Sequence, residues 1–274
     1  MASDGKMRTR LLDSLNTYEV AEFLERSDVI FLPIGTVEMH GQMPLAAEHV
    51  LPLAFAVRLA EECDGLVLGG LAYFYPGATA IGAGTITVSP SAGAAYLKEV
   101  CRSLLRQGFR RQVLLTAHGP AHVTMNVVVR EFFDQTRCPI AYLDLCTHFA
   151  RVEAKHPGGA DFDKMIWGAY RLLGRLDEVQ PRPVQRHTPL PEAVRRLYRS
   201  GALAGHYYSQ VTQHGWWPEG EMDEPARQAR SAEGIEHINR VVEQIDPRQI
   251  IETLRGLEGY LEEDVFPTYG DRLP

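Results

Sequence analysis

Four ionisable side chains crowd the segment from residue 38 to residue 49: Glu38, His40, Glu48 and His49. Glu38 and His40 are two residues apart in Phe31-Leu-Pro-Ile-Gly-Thr-Val-Glu38-Met-His40-Gly41, where an apolar, β-branched run gives way to a glycine. In an extended segment residues i and i+2 point to the same side, so a carboxylate and an imidazole at this spacing can grip one metal ion. A third imidazole, His118, directly follows another apolar run, Gln112-Val-Leu-Leu-Thr116. A divalent cation held by histidine and carboxylate with a position left open lowers the pKa of bound water and polarises a carbonyl. That donor set points to hydrolysis by a metal-activated water, without a nucleophile from the protein.

The elements that must position these groups follow from the hydrophobic pattern. Short apolar runs read as strands at Val29 to Ile34, Gly65 to Gly69, Gln112 to Thr116 and Ile140 to Leu145, with an extended piece at Thr85 to Val88. Between them, helical patterns cover Thr17 to Arg26, Leu51 to Cys63, Ser91 to Gln107 and Ala121 to Gln135. This alternation predicts an α/β fold, a three-layer α/β/α sandwich with a mostly parallel central sheet. Ligands of such sheets bind outside the carboxyl ends of the strands. Glu38 and His40 follow one strand and His118 another, so all three are expected on one rim. Taken singly, each reads as a helix cap or an exposed loop residue, and Glu48 as a carboxylate at a helix start; it is their convergence that favours a site.

Composition sets the outer bounds. The 274 residues are 45% hydrophobic and 23% charged, with a formal net charge of −7, which fits a globular chain and disfavours nucleic acid or an anionic membrane as partner. Cys63, Cys101, Cys138 and Cys146 lack CxxC spacing and read as buried free thiols. The N-terminus has no apolar stretch of the kind a secretion signal needs, and no run of about 18 apolar residues occurs. A cytoplasmic protein is expected. No Gly-x-Ser-x-Gly elbow is present, and the glycines around Gly82 and Gly84 lack the order of a dinucleotide site.

Several segments, in order, resemble one family. Thr36-Val-Glu38-Met-His40-Gly41, followed by Pro44-Leu45-Ala-Ala-Glu48, is similar to the opening Glu-Gln-His-Gly, Pro-Leu and aspartate signature of the creatininase (creatinine amidohydrolase) superfamily. Gly84-Thr85-Ile86-Thr87 resembles its Gly-Thr-Ile-Ser element, and Gly108-Phe109-Arg110-Arg111 through His118-Gly119 its Gly-Phe-Arg-Arg strand and Asn-Gly-His-Gly turn. His156-Pro-Gly158-Gly-Ala-Asp161 is a weaker likeness of His-Ala-Gly-Glu-x-Glu, and Ala229-Arg-Ser-Ala-Glu233-Gly234 of Ala-Thr-Ala-Glu-Lys-Gly. The likeness spans roughly residues 12–246.

The resemblance implies one or two divalent metal ions per subunit, zinc, manganese or iron, and hydrolysis of an amide or cyclic amide by a protein that commonly forms hexamers. Carried over residue by residue, Glu38, His40, Glu48 and His118 are the implied metal ligands, with Glu48 in place of the usual bridging aspartate and Asp161 where many members place a further carboxylate. After His118-Gly119 the chain has Pro120 and Ala121 where a second-site ligand often stands. Either Asp161 or His122 supplies it, or the site holds a single ion. His156 is the implied proton donor and His122 the reserve. Tyr75 and Thr79, in the loop Tyr73 to Gly84, and Trp216 with Trp217 are candidate walls of a pocket for a small-molecule substrate.

The altered motif argues against creatinine itself. Within the superfamily, opening of a C–N bond competes with C–C cleavage or isomerisation of a cyclic polyol ketone of the oxidised inositol type. A catalytically silent, metal-stabilised oligomer that binds a metabolite is the reading from another class. Residues 1–255 read as one domain and 256–274 as a C-terminal tail or oligomerisation arm, with Arg175 to Pro191 as a connecting loop.

Overall fold

The structure, a computed structural model, describes residues 7–40, 43–179, 192, 196 and 223–272. Four strands form one parallel sheet in the order β2-β1-β3-β4: β1 Val29–Pro33, β2 Leu66–Val67, β3 Arg111–Thr116 and β4 Ala141–Asp144. The register sets Phe31 beside Val67 and Val113, and Thr116 beside Asp144. The chain leaves β1 toward β2, then returns to lay β3 on the other side of β1. The crevice at the carboxyl ends of β1 and β3 is therefore the topological switch point of the sheet, the place where such sheets bind ligands.

Alternation along the strands builds two cores. Val29, Phe31, Val113, Leu115 and Leu143 face one layer of helices: α2 (Ala47–Cys63), α5 (Leu145–Lys155), α6 (Phe162–Leu172), α7 (Glu224–Ile245) and α8 (Pro247–Tyr260). Ile30, Leu32, Leu66 and Leu114 face the other, made by α1 (Thr17–Leu24), α3 (Pro90–Arg106) and α4 (His122–Thr136). Both faces of the two central strands, β1 and β3, are covered, which is why they read as continuous apolar runs. The three-layer α/β/α sandwich is the observed architecture. Among the described residues no helix is long and apolar enough to cross a membrane.

Local chemistry accounts for the element ends. Asn16 caps α1 in a reciprocal box with Glu19, and Ser89, Asp144, Asp161 and Asp223 cap α3, α5, α6 and α7. α6 and α7 cross where Gly168 and Gly234 meet, backbone against backbone. Of the four unpaired cysteines, Cys101 and Cys138 are buried as expected, whereas Cys63 and Cys146 are only half-buried. Burial pushes the Cys63, Cys101 and Cys146 thiols up to about 12.

The structure sharpens the element bounds. The helix expected from Leu51 begins at Ala47, one turn earlier. Pro52 sits inside α2 and removes the bond that the Glu48 carbonyl would accept. Thr85 to Val88 forms no strand; Ile86 N–H instead ties to the Val37 carbonyl at 3.0 Å. Over the stretch read as a C-terminal tail or oligomerisation arm, α8 runs through position 255 without a break and continues as a π-turn, Leu261–Val265, and a short helix, Phe266–Tyr269. Ile251, Leu254 and Leu261 anchor this stretch in buried positions.

Candidate metal centre

Glu38 and His40 lie in the extended segment that leaves β1, and three contacts hold that segment in place. Glu38 N–H donates to the Leu45 carbonyl at 2.9 Å, Met39 N–H to the Thr85 hydroxyl at 2.9 Å, and Ile86 N–H to the Val37 carbonyl. The Gly-Thr-Ile element of the sequence is thus the strut on which the Glu38-Met39-His40 segment hangs. Glu48 comes from the first turn of α2, which crosses Gly35 so closely that a methyl there would stand 2.5 Å from the Glu48 carbonyl oxygen. His118 follows β3 by two residues.

The side chains converge in a buried cluster. Glu38 is 1% exposed, and His40, Glu48 and His118 are 5–6% exposed. Donor atoms of Glu38, His40 and Glu48 all lie within 4.8 Å of one another. His40 Nε2 stands 2.7 Å from Glu38 Oε1 and 3.3 Å from Glu48 Oε1; His118 Nδ1 is 3.4 Å from Glu38 Oε1 and 3.8 Å from Glu48 Oε1.

The donor chemistry fits a divalent cation. Glu48 Oε2 is buried without a hydrogen-bond partner, an arrangement that costs free energy unless something positive answers it. His118 Nε2–H donates to the Tyr75 carbonyl at 3.1 Å, since a carbonyl only accepts. A neutral His118 therefore turns its Nδ1 lone pair toward two carboxylate oxygens, an orientation that needs a proton or a cation between them. Burial lowers the His40 pKa, but Glu38 and Glu48 outweigh it and raise it to about 9. His118 is raised in the same way, burial opposing and Glu48 prevailing. On Glu48 burial pushes upward, while His118 and His40 bring the carboxyl down to about 2.

The other expected site residues lie as follows. His122 opens α4 on the same rim as His118; its exposed ring donates Nδ1–H to the Gly119 carbonyl at 2.6 Å, leaving Nε2 for other partners. Asp161 caps α6, its Oδ1 accepting from Lys164 N–H at 3.0 Å, and its own N–H reaches His237 Nδ1 at 3.2 Å. His156 is exposed at the far end of α5, whose 11 residues span about 16 Å from the rim where the helix begins. The structure brings together Glu38, His40, Glu48 and His118, and neither Asp161 nor His156 joins them. Thr79, buried, donates its hydroxyl to Glu38 Oε2 at 2.5 Å, and Tyr75 meets the cluster through its carbonyl. Trp216 and Trp217 lie outside the described residues. His49, next to Glu48, is buried with an unpartnered Nδ1, and burial followed by the nearby Arg175 brings its pKa down to about 4.

Comparison with known proteins agrees with this geometry. The creatininase model, described as creatinine amidohydrolase, matches residues 13–245. A creatinine amidohydrolase of Pseudomonas putida is 33% identical over 103 residues, which cover 33% of this chain and 37% of that protein. A 3-dehydro-scyllo-inosose hydrolase of Thermotoga maritima is 24% identical over 247 residues, 83% of this chain and 79% of its own length. Among solved structures, a creatininase described with manganese superposes with a TM-score of 0.56 at 19% identity, over 91% of this chain and 99% of that one. A rim of buried carboxylates and imidazoles at the switch point of a parallel sheet, and a family match across most of the length, place this chain in the creatininase family of amidohydrolase-type enzymes.

Proposed function

We propose that Glu38, His40, Glu48 and His118 hold a single divalent cation, and that the protein hydrolyses a C–N bond in a small amide or cyclic amide. The observation that carries this is the inward convergence of His40 Nε2 and His118 Nδ1 on Glu38 Oε1 and Glu48 Oε1 in a buried cluster. Manganese, as in the creatininase structure that shares this fold, and zinc both suit this oxygen and nitrogen set. When bound, the cation supplies a Lewis acid for a substrate carbonyl and a water of lowered pKa.

Around it the chain's own groups divide the remaining tasks. Glu38 and Glu48 balance the cation's charge, and the Tyr75 carbonyl keeps the His118 ring in the orientation that turns Nδ1 inward. His122 is the better-placed proton carrier of the two expected, because it shares the rim and its ring is anchored through Nδ1–H to Gly119. Asp161 is occupied as a helix cap, which favours one ion over two. Assembly into a homo-oligomer and a cytoplasmic location belong to the same reading, supported by the family relationship.

A second reading, hydrolysis of a cyclic polyol ketone, is favoured by the inosose hydrolase that aligns with most of the chain. The test is turnover of a panel of cyclic amides and of oxidised inositols by protein reloaded with manganese or zinc, beside Glu38→Gln. Amide opening that vanishes in Glu38→Gln supports the main reading. Turnover of the polyol ketones alone transfers the assignment to C–C chemistry, and an unimpaired Glu38→Gln refutes both.

A further inference from the structure

We infer that Thr79 is a positioning residue whose hydroxyl commits Glu38 to a single inward-facing oxygen, and so sets the metal affinity of the centre. The inference rests on the metal-centre reading above. Thr79 is 4% exposed and stands in the short 3-10 turn Gly77–Ile81. Its hydroxyl has two acceptors within reach, Glu38 Oε2 at 2.5 Å and the Pro76 carbonyl at 3.2 Å. One proton serves one strong bond, and the shorter bond to a charged acceptor takes it.

Glu38 is thereby divided. Oε2 is tied outward to Thr79, while Oε1 alone faces His40 Nε2 and His118 Nδ1. Four residues earlier, the Tyr75 carbonyl performs the matching task on His118 Nε2. One turn of one loop therefore orients a ligand that follows β1 and a ligand that follows β3. A threonine that served only to line a pocket would keep its proton for substrate; here the proton is spent on a ligand. Groups behind metal ligands commonly tune affinity by about 10- to 100-fold.

The test compares wild type with Thr79→Val, which keeps the shape and loses the hydroxyl, Thr79→Ala, which cannot overpack, and Thr79→Ser, which restores the donor. Manganese and zinc affinities are measured by competition with a chromophoric chelator, and folding by the thermal melt of metal-free protein. Expected are affinities about 10- to 100-fold weaker in the Val and Ala variants and near wild type in Ser. Undiminished affinity in a folded Val or Ala variant overturns the inference while leaving the metal centre standing. Failure of both to fold, with Ser folding, overturns it as well, because the hydroxyl would then serve the fold rather than the ion. Absence of binding by the wild type refutes the metal centre itself.

Discussion

Gly35 leaves no room for a single added carbon, and Gly35→Ala tests how the centre is built. A methyl group there would lie 2.5 Å from the Glu48 carbonyl oxygen and 2.8 Å from His49 Cβ, and closer still to His49 Cα. Ordinary contact begins at 3.4 Å, so the first turn of α2 must retreat from the β1 exit by roughly 1 Å. Backbone on both sides leaves no side chain to rotate away. Overpacking of this kind costs about 1–3 kcal/mol. For a chain of this size that amounts to roughly 2–4 °C of melting temperature per kcal/mol. Because the retreating turn carries Glu48, the same change pulls one proposed ligand away from the others. The measurements are a thermal melt of chelator-treated protein and a titration with manganese. Both stability and affinity should fall. A melt within 1 °C of wild type, taken as about the resolution of the method, together with unchanged affinity would refute the claim that close approach at Gly35 positions Glu48.

Two further outcomes follow from packing and burial. Gly234→Ala drives a methyl into the Lys164 carbonyl, with Gly168 N only 2.7 Å away; it should destabilise by about 3 kcal/mol or more, whereas Gly256→Ala in α8, with open space around it, should stay neutral or gain slightly, and equal melts for the two would contradict the helix crossing. The His49 pKa is brought down to about 4 by burial first and Arg175 second, so the unfolded chain takes up a proton near pH 6.5 that the folded one refuses until about 4. Stability of metal-free protein should accordingly fall as pH drops from 6.5 toward 4, by roughly 3 kcal/mol at most, and His49→Gln should flatten that limb; parallel pH profiles for the two proteins would show that His49 is not buried neutral.

Much of this architecture was legible because its causes are local. Val29 to Ile34 and Gln112 to Thr116 read as strands since both faces of each are covered, and the two-residue spacing of Glu38 and His40 survives intact beyond β1. Local signals also misled. The apolar spacing placed the helix start at Leu51, yet α2 begins at Ala47, and Glu48 and His49 belong to the helix rather than precede it. Asp161 carried two signals at once, a family motif position and an aspartate just before an amphipathic helix, and in the fold it makes the capping bond. The Thr79 bond to Glu38 spans 41 residues. Nothing in the loop's composition announces such a partner, because an uncharged threonine among small residues is indistinguishable from a pocket wall until the chain is folded.

Pro120 shows how a departure from the family pattern can be read once the fold is known. It occupies the stretch after His118-Gly119 in which a second-site ligand was expected, and by sequence it looks like a loss. In the structure its ring packs against Gly77, where an added methyl would stand 2.8 Å from Pro120 Cγ. Gly77 itself adopts φ +69, a conformation that L side chains rarely adopt. Gly77 lies between Tyr75 and Thr79, the two residues that touch His118 and Glu38. The residue that cannot ligate a metal therefore braces the loop that orients two residues that can. In the single-ion centre proposed above, the Tyr75–Thr79 turn would hold the Glu38 and His118 side chains from behind, with no second carboxylate after His118 required.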